Sequence, residues 1–322
     1  MLLLKILLLS IVQGLAELLP VSSSAHVVVA EKLLGLDPAA PAMTLLLVML
    51  HTGTMFAVIV YFWKQWRATY FQSAQTFWSF AWLAVLATFW TGLIGGGLIE
   101  FIEHVLLRGT PHAEVEQLFG RLDLIAPALA AAGILILIAG LYEKKHEGVL
   151  GTDTINPVGL NMQQAGWMGA VQGLCLPFRG FSRSGATISV GLWMNVAKAH
   201  AEAFSFALAV VLTPPAIARE ALRLVKAEHL HGSAALASAS LASAMMPSLL
   251  GAVCSFLAGL VALKWLSRWL ESGRWYWFGI YCLVASVAAA SFEHNAHQRV
   301  FIGSGFWNRD QTLFGEHPGD GV

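Results

Sequence analysis

The chain has 322 residues, of which 57% are apolar and only 12% are Asp, Glu, Lys or Arg, at a formal net charge of zero; its mean hydropathy is +0.66. A soluble domain carries about 25% charged residues and could not hide this much apolar surface. The composition therefore points to a membrane protein and excludes a disordered chain, a disulfide scaffold and a nucleic-acid binder with a basic face. Cys175, Cys254 and Cys282 lie scattered in apolar stretches without CxxC spacing, which reads as packing rather than a disulfide framework or a zinc site.

In chain order, the first apolar region is residues 1–35, MLLLKILLLSIVQGLAELLPVSSSAHVVVAEKLLG. It is helix-like at both ends and interrupted by Pro20 and the serines that follow. A cleavable signal peptide is the rival reading. Against it, the stretch before Lys5 is itself apolar, and Glu17 and Pro20 run straight on into another apolar segment. Apolar spans of the required ~20 residues follow at 43–63, 77–99 and 122–142. A second interrupted region, residues 161–198, contains LPFRGFSRSGAT, and three more spans come at 203–225, 243–266 and 275–292. Pro breaks a helix and Ser before an apolar run caps a new one. In hydrocarbon, broken backbone is tolerated only where protein or a watery cavity satisfies it. Each interrupted region thus reads as a re-entrant helical hairpin or a broken helix lining a site.

The two interrupted regions resemble each other. Val12-Gln13-Gly14-Leu15 recurs as Val171-Gln172-Gly173-Leu174, and Ser22-Ser23-Ser24-Ala25 falls opposite Ser182-Arg183-Ser184-Gly185 with a one-residue offset. Three spans follow each region, and an odd number turns the second copy upside down. The expected fold is an all-α integral membrane protein. It is an inverted-topology repeat of three spans each, with two re-entrant helical hairpins meeting near the membrane midplane. Residues 1–292 form the polytopic domain (repeat one 1–142, repeat two 161–292), and 293–322 form a polar tail with a solvated end.

Sidedness follows from Lys and Arg in short connections. Lys64 and Arg67, and Lys264, Arg268 and Arg274 against Glu271, fall on one side, which is placed in the cytoplasm; the acidic 100–123 connection falls on the other. Arg219, Arg223 and Lys226 run against this assignment. Pro214-Pro215 is expected to end that span early and leave an interfacial helix. Residues 1–35 then dip in from the outer face and 161–198 from the cytoplasmic face.

The polar residues at the two breaks are Gln13, Glu17, Ser22, Ser23, Ser24 and His26, and Ser182, Arg183, Ser184 and Thr187. Ionisable groups inside a membrane are costly and mark function. A carboxylate, an imidazole, hydroxyls and a guanidinium are the parts that phosphoryl transfer requires. Arg183 can hold phosphate oxygens in a fork and offset developing charge. Free N–H groups at the starts of helices form an anion site. Glu17 and His26 are candidate acid–base partners, and a serine is the candidate nucleophile. A carboxylate near a diphosphate could instead hold a divalent cation. Each residue alone has a structural explanation: Glu17 and Arg183 as an ion pair across the repeat interface, His26 bonded to a carbonyl, serines as caps. Their concentration at two breaks in otherwise bare spans favours function. His51, the other intramembrane histidine, reads as a hydrogen-bonded packing residue; a role near the site is the alternative, since Thr52-Gly53-Thr54 follows it and glycine permits close helix approach.

VQGLAELLPVSSSAH and GFSRSGATIS resemble the two signature segments of the undecaprenyl-diphosphatase (bacitracin-resistance protein) family. Gln13, Glu17, Pro20, Val21, Ser22, Ser23 and His26 match its first motif. Gly180, Ser182, Arg183, Ser184 and Thr187 match its second, PGxSRSxxT. LHTGTMFAVIVYFW at 50–63 is similar to the family's next segment, and the likeness runs to about residue 290. The resemblance implies hydrolysis of undecaprenyl diphosphate to undecaprenyl phosphate and inorganic phosphate, which recycles the cell-wall lipid carrier. It implies a site open to the outside of the bacterial inner membrane and a divalent cation, Mg2+ or Ca2+, with Glu17 and Gln13 as metal ligands. It assigns Ser23 as nucleophile, Arg183 as phosphate clamp, and Glu17 and His26 to metal binding or proton transfer. Ser22, Ser24, Ser182, Ser184 and Thr187 join the substrate site. Two departures stand out. Gln13 replaces a carboxylate, and Arg179 occupies the usual Pro position, where it is either a second diphosphate ligand or directed toward lipid headgroups. The expected partners are a polyprenyl diphosphate and membrane lipids, with no nucleic acid; a homodimer stays open.

A transporter or lipid flippase on the same inverted repeat is the competing class. An acid-phosphatase-type site needs SR-x5-H, and Ser189 occupies the histidine position.

Overall fold

A computed structural model describes residues 2–36, 41–106, 122–145, 158–230 and 234–293. The polar tail from 294 and most of the acidic 100–123 connection lie outside the described residues. The elements, in order, are α1 (Leu2–Leu18), α2 (Ser23–Leu34), α3 (Pro41–Thr69), α4 (Ala74–Phe101, extended by a π turn, Ile102–Leu106), α5 (Leu122–Lys145), α6 (Met162–Leu174), α7 (Arg183–Trp193), α8 (Lys198–Leu230) and α9 (Ala234–Glu271), then α10 (Tyr276–Glu293).

Among the described residues, six helices are long and apolar enough to cross a membrane: Met43–Thr69, Ala74–Val105, Leu122–Lys145, Lys198–Arg219, Met245–Glu271 and Tyr276–Glu293. They coincide with the six expected spans. On α4 the side chains of Trp78, Trp82, Phe89 and Leu93 are each more than half exposed, a face that would aggregate in water and that lipid covers in a bilayer. The protein is an all-helical, multi-pass membrane protein.

Both interrupted regions form pairs of packed helices, α1 with α2 and α6 with α7. The local chemistry is the one the residues call for. Asn161 and Gln164 make a reciprocal capping box at the start of α6, and the Ser182 hydroxyl accepts from Gly185 N at the start of α7. The turn before α7 passes through Gly180 at φ 104°, where a Cβ would lie 2.4 Å from Ile125 O, so only glycine fits.

Small residues set how the helices lie. Hypothetical Cβ atoms on Gly14 and Gly53 would meet α9 at Ser255 O (2.6 Å) and Ala252 O (2.2 Å), and Gly259 of α9 closes on Ala57 and Leu18. These pairs advance together along the chain, so α1 and α3 both run parallel to α9. Likewise, Gly169 sits on Ala87, and Gly173 on Thr91 and Gly95, so α6 runs parallel to α4. Removing side chains lets backbones approach where hydrocarbon provides no hydrophobic drive between helices. Two consequences follow. The C-terminal ends of α3 and α9, with exposed Lys64, Arg67, Lys264 and Arg268, share one face of the molecule. α1 begins at the opposite face and α6 at the basic one.

One expectation fails. Pro214 and Pro215 do not end α8, which continues through both to Leu230. A proline removes one N–H but leaves the rest of the ladder, and in apolar surroundings ending the helix would unpair more groups. The Thr213 hydroxyl donates to Ala209 O at 2.7 Å just before the pair, a back-bond that tolerates a bend.

Candidate active site

The break between α1 and α2 spans residues 19–22. Leu9, Leu18 and Leu50 bury the apolar face of this region, while Gln13, one helical turn before Glu17, is also buried. Ser22 adopts φ 63°, ψ 93°, a left-handed conformation costing a non-glycine residue about 1–3 kcal/mol. That strain reverses the chain sharply enough to bring the first residue of α2 back over α1.

The result is a cluster centred on Glu17. Ser23 Oγ donates to Glu17 Oε2 at 2.6 Å, and Gln13 Nε2 donates to the same oxygen at 3.1 Å. Arg183, the first residue of α7, donates from Nη2 to Glu17 Oε1 at 3.2 Å. The two hairpins therefore meet on one carboxylate, with Ser23 on one oxygen and Arg183 on the other. The side chain of Glu17 is 14% exposed and that of Arg183 27%, enough access for a ligand at their rim.

His51, expected first as packing and otherwise near the site, belongs to this cluster. Its Nε2 lies 3.3 Å from Gln13 Nε2 and 3.8 Å from Glu17 Oε2. Its Nδ1 lies 2.8 Å from Leu47 O. A carbonyl only accepts, so Nδ1 carries the proton; in the neutral ring Nε2 is then an acceptor for the Gln13 amide. The available sequence signal was a histidine in an otherwise bare span, but a single chain does not reveal which break it faces.

A cleft opens at the cluster. Glu17, His51 and Arg183 form its polar end, and Leu18, Met55, Val58, Ala209 and Val210 its apolar wall, with Thr54 and Thr213 between. The turn of α8 just before its proline pair thus lines the cleft.

The remaining expected site residues are placed as follows. Ser22 and Ser24 hydroxyls lie 3.3 Å apart, and Ser24 Oγ accepts from Gly180 N at 3.2 Å, tying the hairpins together. Ser182 caps α7, and Ser184 Oγ donates to Leu19 O at 3.5 Å. Thr187 is fully buried, bonded to Arg183 O at 2.9 Å and to Ser205 Oγ at 2.5 Å. His26 is held by Ser22 O at Nδ1 (2.8 Å) and by the Tyr281 hydroxyl at Nε2 (2.6 Å). Arg179 is exposed on the turn before α7 and acts electrostatically on the buried Glu31 of α2.

Among the described residues no group of three or more His, Cys, Asp or Glu is placed to hold a metal ion. The cluster offers one carboxylate and one amide. Hard dications such as Mg2+ commonly bind one or two carboxylates together with substrate phosphates. The donors fit a cation that arrives with a diphosphate, and do not form a cage of their own.

Residues 6–288 match the family model described as bacitracin resistance protein BacA. The chain belongs to that family. A protein of Acinetobacter baylyi named undecaprenyl-diphosphatase 2 is 55% identical over 284 residues, 88% of this chain and 95% of that one. One of Rhodopirellula baltica named undecaprenyl-diphosphatase is 30% identical over 285 residues, covering 88% and 96%. The family-model match takes in both helix pairs and reaches all six spans.

Proposed function

We propose that this member of the BacA family is an undecaprenyl-diphosphatase of the bacterial inner membrane. It hydrolyses undecaprenyl diphosphate to undecaprenyl phosphate and inorganic phosphate. The observation that carries the reading is the convergence of Ser23 and Arg183, from separate hairpins, on the two oxygens of Glu17 at the mouth of a half-polar, half-apolar cleft. The names of the relatives agree with it.

The substrate is a charged head on a hydrocarbon chain. Its diphosphate takes the polar end, and the first prenyl units lie against the partly exposed Met55 and Val210 at the apolar side of the cleft. Ser23 attacks the terminal phosphorus as Glu17 withdraws its proton. The bridging P–O bond breaks, undecaprenyl phosphate leaves with the proton that Glu17 hands to it, and the phosphoryl group is held on Ser23. Water then attacks the phosphoserine as Glu17 takes its proton, the bond from Ser23 Oγ to phosphorus breaks, Glu17 returns the proton to that Oγ, and inorganic phosphate leaves. Arg183 uses one donor on Glu17 and keeps others of its five for the phosphoryl oxygens, where charge builds in the transition state. Ser22, Ser24 and the start of α2 frame the same end. Ser182, Ser184 and Thr187 hold Arg183 at the start of α7. Arg179, on the adjoining turn, is a second contact for the lipid phosphate. A divalent cation held by Glu17 and Gln13 with the substrate's oxygens would neutralise diphosphate charge.

The parallel pairing of α1 with α9, mirrored by α6 with α4, and the entry of the hairpins from opposite faces support the inverted repeat, with re-entrant hairpins meeting near mid-membrane. With the basic ends of α3 and α9 in the cytoplasm, the α1–α2 hairpin enters from the periplasm and the site opens there.

The test is phosphate release by purified protein in detergent, given undecaprenyl diphosphate and Mg2+. Wild type should release phosphate and yield a trappable phosphoserine, and Ser23→Ala should do neither while melting normally. Full activity in Ser23→Ala would overturn the nucleophile assignment. Lipid movement across vesicles without any phosphate release would favour the flippase class.

A further inference from the structure

We propose that Tyr281 of α10 is a positioning residue for Ser23, acting through His26. The proposal rests on the assignment of Ser23 as nucleophile. Tyr281 lies outside both motif segments and 255 positions from His26, yet the two rings stack with centroids 5.8 Å apart and planes at 12°. The Tyr281 hydroxyl is 2.6 Å from His26 Nε2, and His26 Nδ1 is 2.8 Å from Ser22 O. Because the carbonyl can only accept, Nδ1 bears the hydrogen. In the neutral ring Nε2 then presents its lone pair, and the tyrosine donates.

This fixes a chain of contacts. Tyr281 orients the imidazole, and the imidazole grips the Ser22 carbonyl. That carbonyl belongs to the peptide plane from which Ser23 hangs. Ser22 is in the left-handed region, a conformation that persists only where its surroundings impose it. The next residue of α10 acts on the same turn: Cys282 Sγ donates to Pro20 O at 3.2 Å. Two successive side chains of the last helix thus hold the carbonyls of residues 20 and 22, the second through His26. Ser23 Oγ emerges from that turn 2.6 Å from Glu17. The engagement of both His26 nitrogens makes the ring a brace rather than a base for Ser23, whose hydroxyl already donates to Glu17. Orienting partners of this kind fix both tautomer and ring plane.

Tyr281→Phe keeps the stacked ring and removes only the donor. It should lower kcat at least tenfold with KM for undecaprenyl diphosphate within twofold of wild type and an unchanged melting temperature. In a His26→Ala background the same substitution should change the residual kcat less than twofold, because the link it breaks is already gone. Independently of activity, the imidazole 15N signal that His26→Ala removes should shift in Tyr281→Phe. A kcat retained within twofold, an equal loss with and without His26, or an unmoved nitrogen signal overturns the proposal. Wild-type protein that releases no phosphate would instead sink the diphosphatase reading, and the positioning role with it.

Discussion

Glu17 is the residue on which the proposed mechanism turns, because its two oxygens are engaged differently: one accepts the Ser23 hydroxyl and the other the Arg183 guanidinium. Glu17→Gln preserves shape but loses the base and the ion-pair partner. Phosphate release should fall about 10²–10⁴-fold, measured by initial rates on protein whose helicity is unchanged. Arg183→Lys keeps the charge and loses the fork; a loss of about 10²–10³-fold is expected, the scale of one transition-state donor. The backbone at Ser22 makes a separate prediction. Ser22→Gly relieves the positive φ and should raise or leave unchanged the melting temperature. Ser22→Val, β-branched and unable to bond locally, should destabilise by about 1–3 kcal/mol in thermal melts. The serines, Glu17 and Arg183 were legible in sequence because they interrupt apolar runs. His51 and Tyr281 were not, since each sits inside an uninterrupted span and gains its meaning from a helix far away in sequence.

At the level of the helices, glycines divide into those that seat a neighbour and those that face outward. Gly53 and Gly169 have α9 and α4 backbone at 2.2 Å from a built Cβ. Gly53→Val or Gly169→Val must push whole helices apart, and either should lower stability by at least the ~1–3 kcal/mol of an overpacked core. Gly92 and Gly96 have nothing within 4 Å of a built Cβ. Gly92→Ala and Gly96→Ala should therefore be neutral or slightly stabilising, as alanine is the better helix former by about 1 kcal/mol. Thermal melts of the four variants in one detergent make the comparison. The six spans were readable to within a few residues at most ends, because long apolar runs carry their own signal. The course of α8 through Pro214-Pro215 was not, because whether a proline ends a helix depends on the surrounding solvent and on partners such as Ala209 O.

For the whole molecule, the donor set predicts a division between activity and stability. Chelation of divalent cations should abolish phosphate release and leave the melting temperature unaltered, since no described group of His, Cys, Asp or Glu forms a metal cage that could hold the fold. A chelator that lowered the melting temperature would indicate a structural ion instead. The shared face of the α3 and α9 C-terminal ends makes a topological prediction as well. A cysteine placed at Arg67 or at Arg268 should react with an impermeant maleimide only from the cytoplasmic side, and both should behave alike.

The chain by itself determined the solvent, the number of spans and the kind of chemistry, because each is a property of composition or of short local segments: too little charge for water, six long apolar runs, and serines, a carboxylate and a guanidinium at two breaks. Only tertiary structure decided which of those polar groups act together. Gln13, Glu17 and Ser23 are close in sequence, but Arg183 meets Glu17 across 166 positions and Tyr281 meets His26 across 255, in a bundle where small residues seat α1 on α9, α6 on α4 and α5 on α10. That packing carries two distant segments to one carboxylate, and contacts between segments so far apart leave no trace in local residue pattern.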